Sequence, residues 1–326
     1  MNWKGLSSSP CNLCPRECLA DRKSGQRGYC LEDDRIFVAR AALHMWEEPC
    51  ISGEMGSGAV FFSGCNLRCV YCQNYEIAAG RKGKEISVYR LAEIFLELQD
   101  KGAANINLVT PDHYVMEIAE AVLQAKKMGL KLPIVYNGSG YEKEEVIQNL
   151  SGIVDIFLTD FKYMDAMLAE KYSKAPDYPL VAERALEEMV KIAGEPVFDE
   201  MGMMQKGVIV RHLLLPGHKK NARDVIRYVY EKYGDKVYIS LMNQYTPFER
   251  LKENQEYREL CRKVTRREYE AVMNYAIEIG VKNAFVQEGD TAKESFIPEF
   301  DGEGVLREIF LEGSEQIRQY NREINF

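Results

Sequence analysis

The alternation of short β-rich runs with amphipathic helical stretches constrains the fold of this 326-residue chain more than any other feature. The predicted strands are residues 59–63, 105–110, 133–137, 154–160, 207–215, 236–242 and 283–287. Helical periodicity fills the gaps, at residues 87–100, 112–128, 142–149, 179–193, 220–233 and 265–279. Several strands are almost continuously apolar, as expected when helices cover both faces of a parallel sheet.

We therefore expect an α/β fold, a full or partial TIM-like barrel of about six β/α units. A doubly wound open sheet is the alternative, but no early strand is followed by Gly-x-Gly-x-x-Gly. The glycine-rich stretch 52–58 breaks the composition just before the first predicted strand. The predicted divisions are an N-terminal cysteine-rich metal-binding segment (1–57), the barrel (58–290) and a C-terminal extension (291–326).

Charge and hydropathy argue against several kinds of partner. The formal net charge is -8, so no overall basic field exists to hold a nucleic-acid backbone. No stretch approaches the roughly 20 apolar residues that a membrane span needs, and the chain starts without the apolar core of a signal peptide. We expect a cytoplasmic protein whose nine cysteines are mostly reduced and act as ligands or nucleophiles.

Three cysteines, Cys65, Cys69 and Cys72, follow directly after the first predicted strand. Thiolates bind zinc, copper(I) or iron-sulfur clusters, and a four-iron cluster needs one protein ligand per iron to be saturated. Three ligands leave one iron open, and an open position can bind a small molecule. The alternative is a zinc site that takes its fourth ligand from Cys50, His44 or another distant residue.

The spacing Cys-x3-Cys-x2-Cys, with Tyr71 before the last cysteine, resembles the signature of the radical S-adenosylmethionine (SAM) superfamily. In that superfamily the three cysteines hold a [4Fe-4S] cluster, and the open iron binds the amino and carboxylate groups of SAM. The resemblance implies a barrel enzyme that cleaves SAM reductively to methionine and a 5′-deoxyadenosyl radical. It also implies that the three cysteines are catalytic and that Tyr71 and Asn74 lie against the cofactors.

The chain also resembles the pyruvate formate-lyase activating enzymes, and their PflX-type branch in its leading Cys-x2-Cys-Pro-Arg-x-Cys segment. The shared motifs are residues 62–74, 160–162, 211–217 and 244–247. This resemblance implies activation of a glycyl radical enzyme and an electron donor such as flavodoxin or ferredoxin. A small molecule, a peptide or RNA is the alternative substrate. A zinc-binding scaffold without catalysis and a disulfide redox switch are alternatives from other classes.

Barrel enzymes keep functional side chains where strands end. Asp160 and Lys162 follow the fourth predicted strand in an Asp-x-Lys pattern similar to that of the activating enzymes. By that resemblance Asp160 binds ribose hydroxyls and Lys162 meets the methionine carboxylate; the alternative is a rim ion pair. Many relatives end the second strand with Gly-Gly-Glu-Pro, whereas residues 108–111 read Leu-Val-Thr-Pro, so Thr110, a backbone carbonyl or another residue must bind the amino group. His212 is either a core histidine or a cofactor or substrate contact.

Four further cysteines, Cys11, Cys14, Cys18 and Cys30, form a second group that can close a metal site. A segment of about 30 residues is too small to build its own core without such a link. Structural zinc and an auxiliary iron-sulfur cluster are equally compatible with the spacing.

Overall fold

The computed structural model describes residues 3–80, 82–287 and 298–307. Its strands are β1 (Ile36–His44), β2 (Ser57–Phe62), β3 (Lys84–Ile86), β4 (Ile106–Val109), β5 (Ile134–Gly138), β6 (Ile156–Asp160), β7 (Val197–Phe198), β8 (Met204–Leu213), β9 (Tyr238–Met242) and β10 (Ala284–Val286). Its α-helices are α1 (Pro49–Ser52), α2 (Tyr75–Ala78), α3 (Val88–Asp100), α4 (Val115–Met128), α5 (Glu144–Asn149), α6 (Ala166–Ser173), α7 (Tyr178–Ala193), α8 (Lys219–Tyr233), α9 (Glu249–Lys252) and α10 (Arg266–Glu278). None of these helices is long and apolar enough to cross a membrane.

The strands form one mostly parallel sheet, in the order β10-β9-β8-β6-β5-β4-β2-β1-β3, with β7 paired to β8 alone. Neighbours from β2 to β10 along this order pair in parallel, whereas β1 is antiparallel to both β2 and β3. Each predicted strand corresponds to one of the observed strands, which confirms the α/β fold. Within the described ranges no ladder joins β10 to the β1–β3 edge, so the sheet is open and has the partial form of the barrel.

The sheet is held together by the apolar residues that produced the sequence pattern. Strand β4 is buried along its whole length, and α3 and α4 cover it with apolar side chains such as Phe95 and Val122. Ser87 caps α3 because its hydroxyl accepts a hydrogen bond from the backbone N–H of Arg90. Helix α10 begins with a reciprocal capping box between Thr265 and Glu268. Helix and strand boundaries thus follow local signals, and burial of the apolar faces fixes their packing.

Strand β1 is a difference from the sequence prediction. It lies inside the predicted N-terminal segment (1–57), yet it pairs with β2 from His44↔Ser57 to Val38↔Phe62. The predicted boundary after residue 57 therefore cuts through β2 and separates β1 from its partner in the same sheet. The described part of the C-terminal extension, 298–307, covers the other edge of β1: the Ala41 N–H donates to the Glu303 carbonyl at 2.8 Å. Residues 291–297 and 308–326 of that extension lie outside the described residues.

Candidate active site

A cleft of about 210 Å³ lies at the carboxyl ends of the parallel strands. Side chains from separate strand ends face it. They include most of the residues predicted from the sequence, namely Cys65, Cys69, Tyr71, Cys72, Asn74, Thr110, Asp160 and Lys162. Parallel strands bring their following loops to the same edge, so residues far apart in the chain meet in one place.

The cysteine loop leaves β2 through Gly64, whose φ of +87° is in the left-handed region. A Cβ at this position would lie 2.8 Å from the Cys30 carbonyl oxygen, so both conformation and space require glycine. The loop then wraps around Cys65, because the backbone N–H groups of Leu67 and Arg68 donate to its Sγ at 3.3 and 3.4 Å. Such N–H···S contacts stabilise a thiolate that ligates a metal.

The three thiols have the chemistry of metal ligands. Burial raises the pKa of Cys65 and raises that of Cys72 to about 12, and neighbouring cysteines add to both effects. A buried thiolate therefore needs a compensating positive charge, which a metal centre provides. Within the described residues no three Cys, His, Asp or Glu side chains converge on a single ion. Thiolates are the usual protein ligands of iron-sulfur clusters, and each binds a different iron, so three neighbouring cysteines suit such a cluster.

A buried hydroxyl network supports the middle cysteine. The Ser173 hydroxyl, at the end of α6, donates to Cys69 Sγ at 3.0 Å. Ser173 Oγ lies 2.8 Å from the Tyr163 hydroxyl, which donates to the Tyr71 hydroxyl at 2.7 Å. These hydrogen bonds hold the Tyr71 side chain in place at the wall of the cleft.

Asp160 and Lys162 form an ion pair beside the cysteines, with side chains that are 26% and 18% exposed. Burial alone would lower the pKa of Lys162, but the charges of Asp160, Cys69 and Cys72 outweigh it and raise that pKa. Lys162 is therefore a cation that faces the cysteine side of the cleft. The pair is partly buried, so solvent screens it less than an ion pair that is fully exposed.

Thr110 lines the cleft in a strained backbone conformation. Its φ is +58°, which β-branched residues rarely adopt and which costs on the order of 1–3 kcal/mol. Its N–H donates to the Asn137 carbonyl at 3.0 Å, which continues the parallel ladder past the end of β4. Strain of this kind is typical of ligand sites, so the Leu-Val-Thr-Pro departure coincides with an unusual backbone at the cleft wall.

His212 does not face the cleft. Successive side chains of a strand point to opposite faces, so Arg211 and Leu213 line the cleft while His212 lies on the other side. Its Nδ1 is 2.7 Å from the Phe161 carbonyl oxygen, and burial lowers its pKa to about 4. This position does not support the predicted contact with a cofactor and matches the alternative of a core histidine.

A charged cluster that the sequence patterns did not predict lies at the cleft. Glu47 and Glu48, from the loop after β1, reach Arg211 on β8 at 3.1 and 3.4 Å, and both glutamate side chains are buried. Glu47 also accepts hydrogen bonds from the side-chain amides of Asn107 and Asn137, at 2.9 and 3.3 Å. The strand-like run 36–44 ahead of Glu-Glu-Pro is the sequence signal for this cluster, and it lies within the predicted cysteine-rich segment.

Comparison with known proteins agrees with this geometry. The sequence matches the profile of the radical SAM superfamily over residues 59–229, which is more than half of the chain. The protein therefore belongs to the radical SAM superfamily, whose members generally use a [4Fe-4S] cluster and SAM.

Among individual proteins, the chain is 27% identical over 275 residues to the uncharacterized protein MJ0674 of Methanocaldococcus jannaschii, a match that covers 82% of this chain and 74% of that protein. It is 30% identical over 115 residues to the pyruvate formate-lyase 1-activating enzyme of Escherichia coli K12, covering 32% of this chain and 45% of that enzyme. The structure of Streptococcus suis SuiB bound to the precursor peptide SuiA matches 69% of this chain and 46% of that chain, at 14% identity and a TM-score of 0.46. That likeness is too low to bear on fold or substrate.

Proposed function

We propose that the protein binds SAM in the cleft and cleaves it reductively, with Cys65, Cys69 and Cys72 as the ligands of the cluster. The observation that carries this proposal is the meeting of predicted site residues from separate strand ends along one cleft. A bound [4Fe-4S] cluster would supply the electron that breaks the sulfonium bond, which no amino-acid side chain provides. The task of the chain is to hold the cofactors, orient them and limit solvent access.

Individual side chains fit parts of SAM. The Lys162 ammonium, next to the cysteines, suits the methionine carboxylate, since a cation bonded to a carboxylate forms a strong hydrogen bond. Asp160, two residues earlier, suits the ribose hydroxyls because a carboxylate accepts two hydrogen bonds. Thr110 and its strained backbone suit the amino group, for which the chain has no glutamate in the corresponding place.

The substrate that we propose is a glycine of a glycyl radical enzyme, from which the 5′-deoxyadenosyl radical would take a hydrogen atom. The similarity to the pyruvate formate-lyase activating enzyme supports this substrate, as does the Asp-x-Lys motif. The electron would come from a small donor protein of the flavodoxin or ferredoxin type. A glycyl radical signal in electron paramagnetic resonance (EPR), after candidate enzymes are mixed with the reduced protein and SAM, tests the assignment. Active SAM cleavage with no radical on any candidate would contradict it and favour a small molecule, a peptide or RNA.

The reaction itself is tested by anaerobic incubation with dithionite and SAM, followed by measurement of 5′-deoxyadenosine. We expect product from the wild type and none from Cys69→Ala, which loses one cluster ligand. Cys261→Ala is the matched control, because it removes a thiol that does not line the cleft. The proposal fails if the iron-loaded wild type forms no 5′-deoxyadenosine, or if Cys69→Ala forms as much as the wild type.

A further inference from the structure

The N-terminal cysteines come together in three dimensions beside the cysteine loop of the active site. Cys11, Cys14 and Cys30 are buried, and Cys18 reaches the surface. Electrostatic interactions join Cys14 to Cys11 and Cys30, and join Cys30 to Cys18. The four thiols therefore form one group, which we call the N-terminal quartet.

Gly28 lies against two sulfur atoms of the N-terminal quartet. A Cβ at this position would lie 3.1 Å from Cys18 Sγ and 3.4 Å from Cys30 Sγ. The backbone of Gly28 is outside the left-handed region, so its conformation does not require glycine. The two sulfur atoms, which are no more than about 6.5 Å apart, leave little room for a side chain at this position. Gly28 therefore lets the backbone pack directly against the quartet.

A buried arginine places positive charge beside the N-terminal quartet. Arg22 is completely buried, and its guanidinium donates to the backbone carbonyls of Asp33 and His113. The acidic groups that interact with it most strongly are the thiols of Cys30 and Cys11, and it is hydrogen-bonded to Cys11. Glu117 also lies near the guanidinium, but burial raises the pKa of that carboxyl. A metal centre held by four thiolates is anionic overall and would add negative charge beside this buried cation.

The arrangement of the sulfur atoms favours an iron-sulfur cluster over zinc. In a tetrahedral zinc site every Zn–S bond is about 2.3 Å, so the four sulfur atoms must converge on one point. Within the described ranges no three potential ligands do so, at the quartet or elsewhere. The cysteines of the active site behave in the same way, and the superfamily uses such cysteines for a cluster. We propose that the N-terminal quartet binds a second [4Fe-4S] cluster.

Direct contacts tie this second site to the active site. The Cys65 N–H donates to the Cys30 carbonyl at 3.3 Å, so one ligand from each group is in contact. Given the reach of a cysteine side chain, their sulfur atoms are at most about 13 Å apart. Arg16 of the same segment donates to the carbonyls of Asn66 and Ser173, at 2.9 and 2.8 Å. Two clusters this close interact magnetically when both are reduced.

Metal analysis of the full chain after anaerobic reconstitution tests the proposal. We expect about eight irons per chain and no bound zinc, and about four irons in the Cys65→Ser/Cys69→Ser/Cys72→Ser variant. Gly28→Ala should also retain about four irons, because its Cβ enters the quartet, while Cys261→Ala should match the wild type. When both clusters are reduced, the wild-type EPR signal should be broader than the sum of the signals from the two depleted variants.

About four irons and one zinc in the wild type would overturn the proposal, as would a triple variant that binds no iron. The wild-type metal count is decisive even if a variant does not fold, and circular dichroism identifies that case. Failure of the proposed SAM reaction would appear as absence of 5′-deoxyadenosine and would leave these metal counts unchanged, so the two failures are distinguishable.

Discussion

The hydrogen bond from Ser173 to Cys69 allows a quantitative test of the cluster site. Ser173→Ala removes a hydroxyl that donates to Cys69 Sγ at 3.0 Å and changes no ligand. Hydrogen bonds to the sulfur ligands stabilise the more negative, reduced cluster and thereby raise its reduction potential. We therefore expect the variant to be harder to reduce than the wild type, with its iron content unchanged.

The size of the shift follows from the strength of this bond. A hydrogen bond to a charged acceptor contributes about 1.5–3 kcal/mol. The bond is present in both oxidation states, so only the difference in its strength between them shifts the potential. We take about 1 kcal/mol as the extra stabilisation of the reduced state. Because about 1.4 kcal/mol corresponds to 59 mV for one electron, Ser173→Ala should lower the potential by roughly 40 mV.

A redox titration followed by EPR measures this shift under anaerobic conditions. Ser151→Ala, at an exposed position remote from the cleft, is the matched control and should leave the potential unchanged. Ser173→Thr keeps a hydroxyl and should recover most of the shift. A potential in Ser173→Ala that equals or exceeds the wild-type value would refute the assignment of Cys69 as a cluster ligand supported by Ser173.

Three further predictions concern the cleft and the strand behind it. Lys162→Met should raise the KM for SAM about 10–100-fold at constant iron content, and an unchanged KM would contradict its role with the carboxylate. Arg211→Leu leaves Glu47 and Glu48 buried without their cation and should cost about 3–5 kcal/mol in urea unfolding; changing both glutamates to glutamine as well should restore most of it. The pKa of His212 is lowered to about 4, so the unfolded chain binds its proton first and stability falls as the pH drops from about 6.5 toward 4. His212→Gln should remove about 2 kcal/mol of the stability difference between pH 7 and pH 5, and an unchanged difference would show that His212 is not the group responsible.

Periodicity in the sequence was sufficient for the parallel strands and their helices, because burial on both faces of a sheet imposes long apolar runs. The same periodicity did not lead to a prediction of strands β1 and β3. Strand β3 has only three residues, two of them charged, and it exists through its pairing with β1. Strand β1 has an ordinary strand pattern, but it lies within the predicted cysteine-rich segment, and its pairing with β2 makes it part of the sheet. For both strands, the pairing partner is set by the tertiary structure.

The candidate site, like the fold, could be predicted from the sequence only in part. The rule that functional residues follow the carboxyl ends of parallel strands correctly located Thr110, Asp160 and Lys162 in the cleft. The rule gives no information on which face a strand residue occupies, and for that reason it included His212. It also omits Glu47, because β1 is antiparallel and its end lies at the opposite edge of the sheet from the cysteine loop. The run 36–44 ahead of Glu47 indicates a strand, but its antiparallel direction and its contact with Arg211 follow only from the three-dimensional structure.

The most direct test of the three-ligand site is a Mössbauer spectrum of the ⁵⁷Fe-reconstituted protein, recorded before and after addition of SAM. An iron without a protein ligand should respond to the amino acid part of SAM, while its three cysteine-bound neighbours should not. We predict that the signal of about one iron per chain changes and that Lys162→Met requires more SAM for the same change. A spectrum that SAM leaves unaltered, in protein that contains its full iron, would contradict the open coordination position on which the proposed chemistry depends.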